Sequence, residues 1–203
     1  MIKFNNTAVM NFENAMRGAR NPLNSWARSD SSYDENGNFV FGSNDLDLAK
    51  RLCQAGNDHR KFIRQIFISV DITAPIYWWK EYDTYKVGTV ANSCSTMHKI
   101  QAKEFVLSDF STEHLSATNL IVFSMVIDAM NNARLDFLQR KDKKDWWQMI
   151  QMLPTCYNQK RTVQLNYAVL KNMYHSRQNH KLDEWREFCK WVETLPYSQL
   201  ITG

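Results

Sequence analysis

Aromatic and ionisable side chains crowd into one short stretch, residues 73–95, which reads TAPIYWWKEYDTYKVGTVANSCS. Lys80 and Glu81 follow a tryptophan pair, and Tyr85 and Lys86 come a few residues later. Aromatic rings can stack on a heterocycle, and an ammonium group can bind phosphate. The stretch therefore predicts a ligand site. A solvated Lys/Glu face beside a Trp-lined core is the alternative that these residues leave open.

A second polar pair, Asn166 and Arg177, lies eleven residues apart near the carboxyl end. On one helix this spacing is close to three turns, or about 16 Å, so both side chains would share a face. An amide and a guanidinium could then hold two parts of a phosphate-bearing ligand, because arginine offers a planar fork that matches phosphate oxygens. Taken alone, the pair slightly favours the alternative of an Asn that caps or hydrogen-bonds within the helical bundle and an Arg that faces solvent.

Several chemistries lack their usual signatures. The chain has no GxSxG, GxGxxG or P-loop motif, and its five histidines form no HExxH pair, so a metal site is not expected. The net charge of +4 is spread along the chain, which favours a small anionic ligand over nucleic acid.

With no apolar run long enough for a membrane span and no secretory signal, we expect a cytoplasmic protein. Four cysteines without a CxxC pair should be free thiols: Cys53, Cys94, Cys156 and Cys189.

The first site needs a strand and a helix to position it. The segment KFIRQIFISVDIT is rich in Ile, Val and Phe and predicts a strand of about ten residues. Pro75 then suits the first turn of a helix that begins near Ala74. On that helix Glu81 and Tyr85 would lie one turn apart. Residues 73–95 would thus form a strand-to-helix junction, a common place for a ligand.

The remaining segments predict one α-rich domain over residues 1–203. Asn36-Gly37 predicts a type I′ hairpin, an insertion at about residues 30–43. Asn44 or Asp45 should cap a helix that Gly56 ends. Ser111 should cap a long helix whose apolar stripe runs through Leu120, Phe123, Ile127 and Met130 and continues to Leu135 and Phe137. A short helix is predicted over WWQMIQMLP, and a second long helix over residues 159–180, with Val163, Tyr167, Leu170 and Tyr174 in register. The last predicted helix covers residues 182–195.

Both regions together resemble the flavin-dependent thymidylate synthases. That family has Phe-x-His, then Arg-Gln on a helix, then Arg-His-Arg followed by seven residues and Ser. The same order appears here over residues 62–94, and the family's Leu-Pro, Asn and Arg frame appears at Pro154, Asn166 and Arg177. The resemblance spans roughly residues 45–185. The matching elements of the first half are Phe62-Ile63-Arg64, Lys80-Glu81, Thr84-Tyr85-Lys86 and Cys94.

The resemblance implies an α/β (α+β) fold, helix-rich with a small mainly antiparallel sheet, in a homotetramer whose active sites combine several subunits. It implies methylation of a dUMP-like pyrimidine nucleotide, with FAD, NADPH and methylenetetrahydrofolate. By position, Arg177 and Glu81 would be catalytic. The flavin-contacting positions would be Tyr85, Lys86, Asn92, Asn166 and Asn172, and the nucleotide-contacting ones Lys80, Glu81, Cys94, Thr96 and Arg177.

The chain departs from the family at charged positions. Of the signature arginines only Lys86 remains a cation, and Thr96 replaces a further arginine. Glu81 replaces an amide, and because a carboxylate only accepts hydrogen bonds, it would suit the amino group of a cytosine-like ring. At Cys94, a small buried thiol in place of serine is favoured over a nucleophile.

These departures support a second hypothesis, a nucleotide-binding protein that kept the fold and lost flavin chemistry. In that hypothesis Trp78, Trp79, Tyr82 and Tyr85 would stack a base, while Lys86 and Arg177 supply phosphate charge. Binding of single-stranded nucleic acid is a third and weaker hypothesis, because the cations form no dense groove. It would use the same aromatics with Lys80, Lys86, Lys99 and Lys103.

Overall fold

The computed structural model describes residues 1–203 and contains eight α-helices and six strands. The helices are α1 (Phe12–Arg20), α2 (Ser43–Gln54), α3 (Ile76–Tyr82), α4 (Ala117–Arg140), α5 (Lys143–Met152), α6 (Tyr167–Arg177), α7 (Asp183–Glu193) and α8 (Gln199–Thr202). The strands are β1 (Lys3–Met10), β2 (Ser32–Tyr33), β3 (Phe39–Val40), β4 (Phe67–Pro75), β5 (Val90–Ser93) and β6 (Asn158–Asn166).

Four strands form a small antiparallel sheet in the order β1-β4-β6-β5. In β4 the buried positions Ile68, Val70, Ile72 and Ala74 alternate with half-buried ones. Such alternation turns one face of a strand toward a core, since successive side chains point to opposite sides. A helix-rich chain with a small antiparallel sheet confirms the predicted fold class.

The chain divides into two compact units. The first comprises residues 1–3, 72–84 and 92–161, and its core lies where Met130 of α4 packs near Met149 of α5. The second comprises residues 4–71, 85–91 and 162–203, and its largest fully buried side chains include Trp185 and Phe188 of α7 and Tyr167 of α6. Neither unit contains a helix with the length and apolar composition required to cross a lipid bilayer.

A hairpin forms where the sequence predicts one, with β2 and β3 antiparallel in the register Ser32↔Val40 and Tyr33↔Phe39. The predicted type I′ turn is wrong, because that turn needs two left-handed residues and only Gly37 has a positive φ, +77°. The Asp34 carboxylate instead accepts the backbone N–H groups of Asn36 and Asn38 at 2.9 and 2.8 Å. This local hydrogen bonding favours a three-residue loop with a single left-handed glycine.

The cap of α2 also differs from the prediction. The helix begins at Ser43, and the Asp30 carboxylate accepts the N–H groups of Asn44 and Asp45 at 2.8 and 3.0 Å. An acceptor from a preceding loop thus replaces the predicted Asn44 or Asp45 cap. The helix ends before Gly56, as predicted, and that glycine has a φ of +104°.

The long helix α4 starts five residues later than a Ser111 cap would place it. Ser116 is the cap, and its Oγ accepts the N–H of Asn119 at 3.3 Å. Ser111 lies outside the helix, where its hydroxyl interacts with the amino terminus of Met1. Ile127, Met130 and Ala133 are buried, while the predicted stripe fails at Leu135, which is 57% exposed.

Two predicted bounds near the site are wrong. Residues 60–65 form a 3₁₀ helix, so β4 begins at Phe67 instead of near residue 61. The predicted long helix over residues 159–180 is a strand, β6, followed by α6. In β6 the buried Val163 and Leu165 alternate with more exposed neighbours, which is the two-residue period of a strand. Pro75 precedes α3 directly, one residue from its predicted position.

Candidate functional site

Arg177, the last residue of α6, is held in place by two aromatic rings. Its Nε donates to the Tyr85 hydroxyl at 2.8 Å. Its guanidinium carbon lies 4.8 Å from the centre of the Trp185 ring and 5.5 Å from that of Tyr85. A delocalised cation is attracted to ring faces, so these contacts fix where the guanidinium points. Arg177 and Tyr85 are both half-buried, which leaves part of each accessible to a ligand.

The other end of α6 is built around Asn166. The Asn166 side chain accepts the N–H of Val169 at 3.0 Å and thereby caps the helix. The predicted common helical face for Asn166 and Arg177 is therefore wrong, since Asn166 ends β6 in an extended conformation. The two residues instead mark the two ends of α6, which spans about 16 Å at the usual helical rise.

Gly88 brings the loop after Tyr85 against the start of α6. Its φ is +80°, and a Cβ at this position would lie 3.0 Å from Val169 Cγ2 and 3.4 Å from Asn166 Nδ2. Glycine is required here because both the backbone conformation and the close approach disfavour a side chain. The hydroxyl of Thr89 donates to the Tyr85 carbonyl at 2.6 Å and closes the turn. Tyr85, Asn166 and Arg177 thus share the second unit.

In the first unit the tryptophans of α3 form core. Trp78 and Trp79 have no exposed surface and Tyr82 is 2% exposed, so the prediction that these three rings stack a base is wrong. Burial also raises the pKa of Tyr82. The Trp79 ring is further covered by Arg161, whose guanidinium carbon lies 4.2 Å from its centre. Of the predicted stacking residues, Tyr85 alone keeps accessible surface beyond a few percent.

Arg161 is a feature that sequence reasoning missed. It donates to Asp83 at 2.8 Å while stacking on Trp79, and the indole N–H of Trp79 donates to the Gln159 carbonyl at 2.9 Å. The error came from the assignment of residues 159–166 to a helix, which hid the strand that carries this arginine. An isolated arginine beside an exposed aspartate gives no sequence signal of its own.

Cys94 is exposed, so the predicted buried thiol is wrong. Its N–H donates to the Lys160 carbonyl at 2.9 Å, and its carbonyl accepts the side-chain amide of Gln159 at 2.8 Å. These bonds hold the segment after β5 against β6. By contrast, burial raises the pKa of Cys53 and of Cys189 to about 11, which keeps both thiols protonated at neutral pH.

The other predicted site residues are placed as follows. α3 ends at Tyr82, so Glu81 and Tyr85 are not one turn apart on a single helix, which corrects that prediction. Glu81 is half-buried on α3, as is Thr96 beyond β5. The predicted site residues that are exposed are Lys80, Lys86, Asn92 and Asn172. His, Cys, Asp and Glu side chains form no group of three or more that could hold a metal ion.

This fold is that of the flavin-dependent thymidylate synthases. Two solved structures of the enzyme ThyX from Helicobacter pylori, each with FAD and dUMP, superimpose on this chain. One has a TM-score of 0.68 at 19% identity, and the match covers 96% of this chain and 95% of the Helicobacter pylori chain. The other has a TM-score of 0.70 at 18% identity, and the match covers 100% of this chain and 98% of the Helicobacter pylori chain. No family model and no curated protein matches the sequence.

Proposed function

We propose that this chain is a flavin-dependent thymidylate synthase-like protein that binds a pyrimidine nucleotide and methylates it. The observation that carries the proposal is the placement of Arg177 between Tyr85 and Trp185 at the end of α6. A fixed, half-buried guanidinium suits one phosphate or one base carbonyl, because its fork needs no further ordering when a ligand arrives. The fold supports the choice of ligand, since its Helicobacter pylori examples contain dUMP.

Arg177 would bind the nucleotide within the second unit. The other four predicted nucleotide contacts belong to the first unit, on α3 and beyond β5. Lys80 would add charge, and Cys94 and Thr96 would add small polar groups. Glu81 would accept a hydrogen bond from the base, which favours an exocyclic amino group over a carbonyl. We therefore expect a cytosine nucleotide such as dCMP to compete with dUMP. An affinity for dUMP that exceeds the affinity for dCMP in a direct titration would contradict this role of Glu81.

The second unit offers groups that fit a flavin cofactor. The missing Cβ of Gly88 leaves a close approach between the loop and α6, next to the Asn166 amide. Tyr85, Lys86, Asn166 and Asn172 of this unit would hold FAD. When bound, FAD would pass hydride from NADPH to the nucleotide, which would receive its carbon from methylenetetrahydrofolate. The protein residues would orient these partners and limit access of water.

A nucleotide-binding protein without flavin chemistry is the second candidate. The observation that favours it is the segment Thr84-Tyr85-Lys86, which has a single cation where the family has Arg-His-Arg. Lys86 is exposed and provides a point charge without a bidentate fork, so a dinucleotide diphosphate would be held weakly there. In this candidate Tyr85 and Arg177 would still bind the nucleotide.

Assembly with further copies of the chain is part of the proposal. The first half of α4 exposes Ile121, Val122 and Met125, at 67%, 56% and 66%. These residues lie on the side of the helix opposite Ile127 and Met130, so they do not serve the core of the first unit. A large exposed apolar face is typical of a protein interface. We propose that α4 contributes to a homotetramer in the cytoplasm.

One titration series tests the proposal. The purified protein is titrated with FAD by visible absorption and with dUMP and dCMP by calorimetry, and the same is done with Arg177→Ala. Flavin binding with NADPH-dependent reduction supports the enzyme. A nucleotide titration without any flavin binding supports the second candidate. If the wild-type protein binds neither nucleotide, or if Arg177→Ala binds as well as wild type, the proposal is wrong.

A further inference from the structure

A cavity of about 700 Å³ lies in the second unit, beside the hairpin formed by β2 and β3. The end of β1, the first turn of α1, the hairpin and the segment Pro196-Tyr197 enclose it. These segments all fall outside residues 45–185, the range over which the sequence resembles the flavin-dependent thymidylate synthases. None of the residues proposed for FAD or for the nucleotide lines this cavity. The proposed function therefore leaves it unexplained.

Aromatic rings form one wall of the cavity. Phe12, Tyr33, Phe39 and Tyr197 line it, with ring centres 5.5 Å apart for Tyr33 and Phe39 and 5.2 Å apart for Phe12 and Tyr197. The buried Phe41 joins the two pairs, since its ring centre lies 5.6 Å from that of Phe39 and 4.5 Å from that of Tyr197. Rings held by such edge contacts lose little freedom when a ligand binds. Tyr33 is 57% exposed and so offers ring surface to a ligand.

Glu13 is the only charged residue in the lining. Its carboxylate accepts the Tyr33 hydroxyl at 2.5 Å, and since a carboxylate has about four acceptor sites, it can accept further hydrogen bonds. Arg17, one turn later on α1, donates to the Asn14 side chain at 2.6 Å instead of pairing with Glu13. The lining thus carries a negative charge that no lysine, arginine or histidine of its own offsets.

We propose that this cavity binds an organic ammonium ion, which is a protonated amine or a quaternary ammonium with an apolar body. The positive group would lie between the Glu13 carboxylate and the Tyr33 ring, because both attract a cation. The apolar body would pack on the aromatic wall and on Met10 and Val40, which are 44% and 41% exposed. Phosphate groups would be repelled by Glu13, so the site is separate from the function proposed above.

The test is calorimetric titration of the full chain with 2-phenylethylammonium chloride and with 2-phenylethanol, which has a hydroxyl in place of the ammonium. Wild type should bind one equivalent of the ammonium roughly tenfold more tightly than the alcohol, because only the cation is attracted to the carboxylate and the ring face. Benzyltrimethylammonium is the third probe. If it binds more tightly than 2-phenylethylammonium, the ligand class is a quaternary ammonium, and if it binds more weakly, the class is a protonated amine.

Two substitutions separate the charge of the site from its ring. Glu13→Gln keeps the size of the side chain and removes the charge, so it should weaken ammonium binding by roughly tenfold and leave alcohol binding unchanged. Tyr33→Leu should weaken ammonium binding, whereas Tyr33→Phe keeps the ring and should bind within about twofold of wild type. Circular dichroism checks that each variant is folded.

Glu104→Gln is the matched control, because Glu104 is an exposed carboxylate of the first unit outside the cavity lining. It should leave ammonium affinity unchanged. Equal losses in Glu104→Gln and Glu13→Gln, or equal affinities of wild type for the ammonium and the alcohol, would overturn the proposal. Displacement of the ammonium by dUMP would also overturn it. Loss of ammonium binding in Glu13→Gln with dUMP binding retained would support a site independent of the nucleotide.

Discussion

At the scale of residues, the hydroxyl of Tyr85 orients the guanidinium of Arg177 at the end of α6. Tyr85→Phe keeps the ring beside Arg177 and removes the hydroxyl that accepts the Nε–H at 2.8 Å. We expect nucleotide affinity to fall about five- to tenfold, because one hydrogen bond that orients the guanidinium is lost. Calorimetry with dUMP and dCMP measures this. Tyr33→Phe, which removes a hydroxyl that bonds to Glu13, is the control and should leave affinity unchanged. Equal affinities for Tyr85→Phe and wild type would remove the orienting role.

A buried ion pair sets another prediction at the same scale. Asp45 is fully buried, and its carboxylate accepts Arg20 Nε at 2.6 Å and the hydroxyls of Ser29 and Ser31 at 2.6 and 2.5 Å. Asp45→Asn leaves the Arg20 guanidinium buried without its counter-charge, which should cost about 3 kcal/mol in the free energy of unfolding at pH 7. Urea denaturation of both proteins measures the difference. A loss well below 1 kcal/mol would show that the Asn amide replaces the pair.

The pH dependence of that difference follows from the pKa of Asp45. Burial acts to raise this pKa, but hydrogen bonds from Ser29, Ser31 and Arg20 outweigh burial and hold it below its ordinary value. A lowered folded-state pKa stabilises the protein above the unfolded value of about 3.9. The stabilisation is lost as the pH falls through the lower, folded-state pKa. The gap between wild type and Asp45→Asn should therefore shrink below about pH 3.9, and a gap that stays constant to pH 3 would contradict this.

Two glycines allow a matched comparison at the scale of elements. Gly88 and Gly37 have φ values of +80° and +77°, but a Cβ meets Val169 at Gly88 and nothing within 4 Å at Gly37. Each substitution to Ala should cost about 1 kcal/mol from the left-handed backbone alone. Gly88→Ala should cost more, because the loop must also move from α6. Urea denaturation measures both costs. Only Gly88→Ala should weaken nucleotide binding, and equal binding by both variants would separate this loop from the site.

The sequence predicted elements well where local signals agree, and failed where distant partners decide. Asn36-Gly37 specifies a hairpin and Gly56 ends a helix, because both effects arise within a few residues. The sequence predicts a helix over residues 159–166 because Val163 and Tyr167 are four residues apart, a spacing that suits either structure over so short a stretch. Strand pairing supplied by β4 and β5 decides this case, and it cannot be read from the segment itself.

The same contrast between local signals and distant partners applies to the candidate site. The sequence pattern indicates Tyr85 and Arg177 as separate candidate residues, and the hydrogen bond between them is visible only in the structure. The ring contact with Trp185 and the Arg161–Asp83 pair join residues far apart in the chain, so no local spacing indicates them. The aromatic content of residues 77–82 was misleading because buried tryptophans and exposed stacking platforms have the same local composition.

At the scale of the whole molecule, the fold is that of the flavin-dependent thymidylate synthases, while the sequence lacks most of the arginines of that family's signature. Fold recognition depends on buried apolar positions and on chain topology, which tolerate low identity because many apolar residues can fill a core. A phosphate site depends on a few cations, and replacement of each one changes affinity directly. The superposition over nearly the full chain at 18–19% identity is consistent with this separation. Fold and ligand therefore need separate experiments.

The exposed face of α4 provides the last prediction, on assembly. Met125→Lys places a charge in the middle of the apolar patch that includes Ile121 and Val122. If this face is buried between copies, desolvation of the lysine should shift the protein to smaller species while each copy stays folded. Light scattering coupled to gel filtration measures the mass, and circular dichroism measures the fold. Gln54→Lys, which adds the same charge on the exposed side of α2, is the control and should leave the mass unchanged. An identical mass for Met125→Lys and wild type would exclude α4 from the interface, and a monomeric wild type would remove the proposed homotetramer.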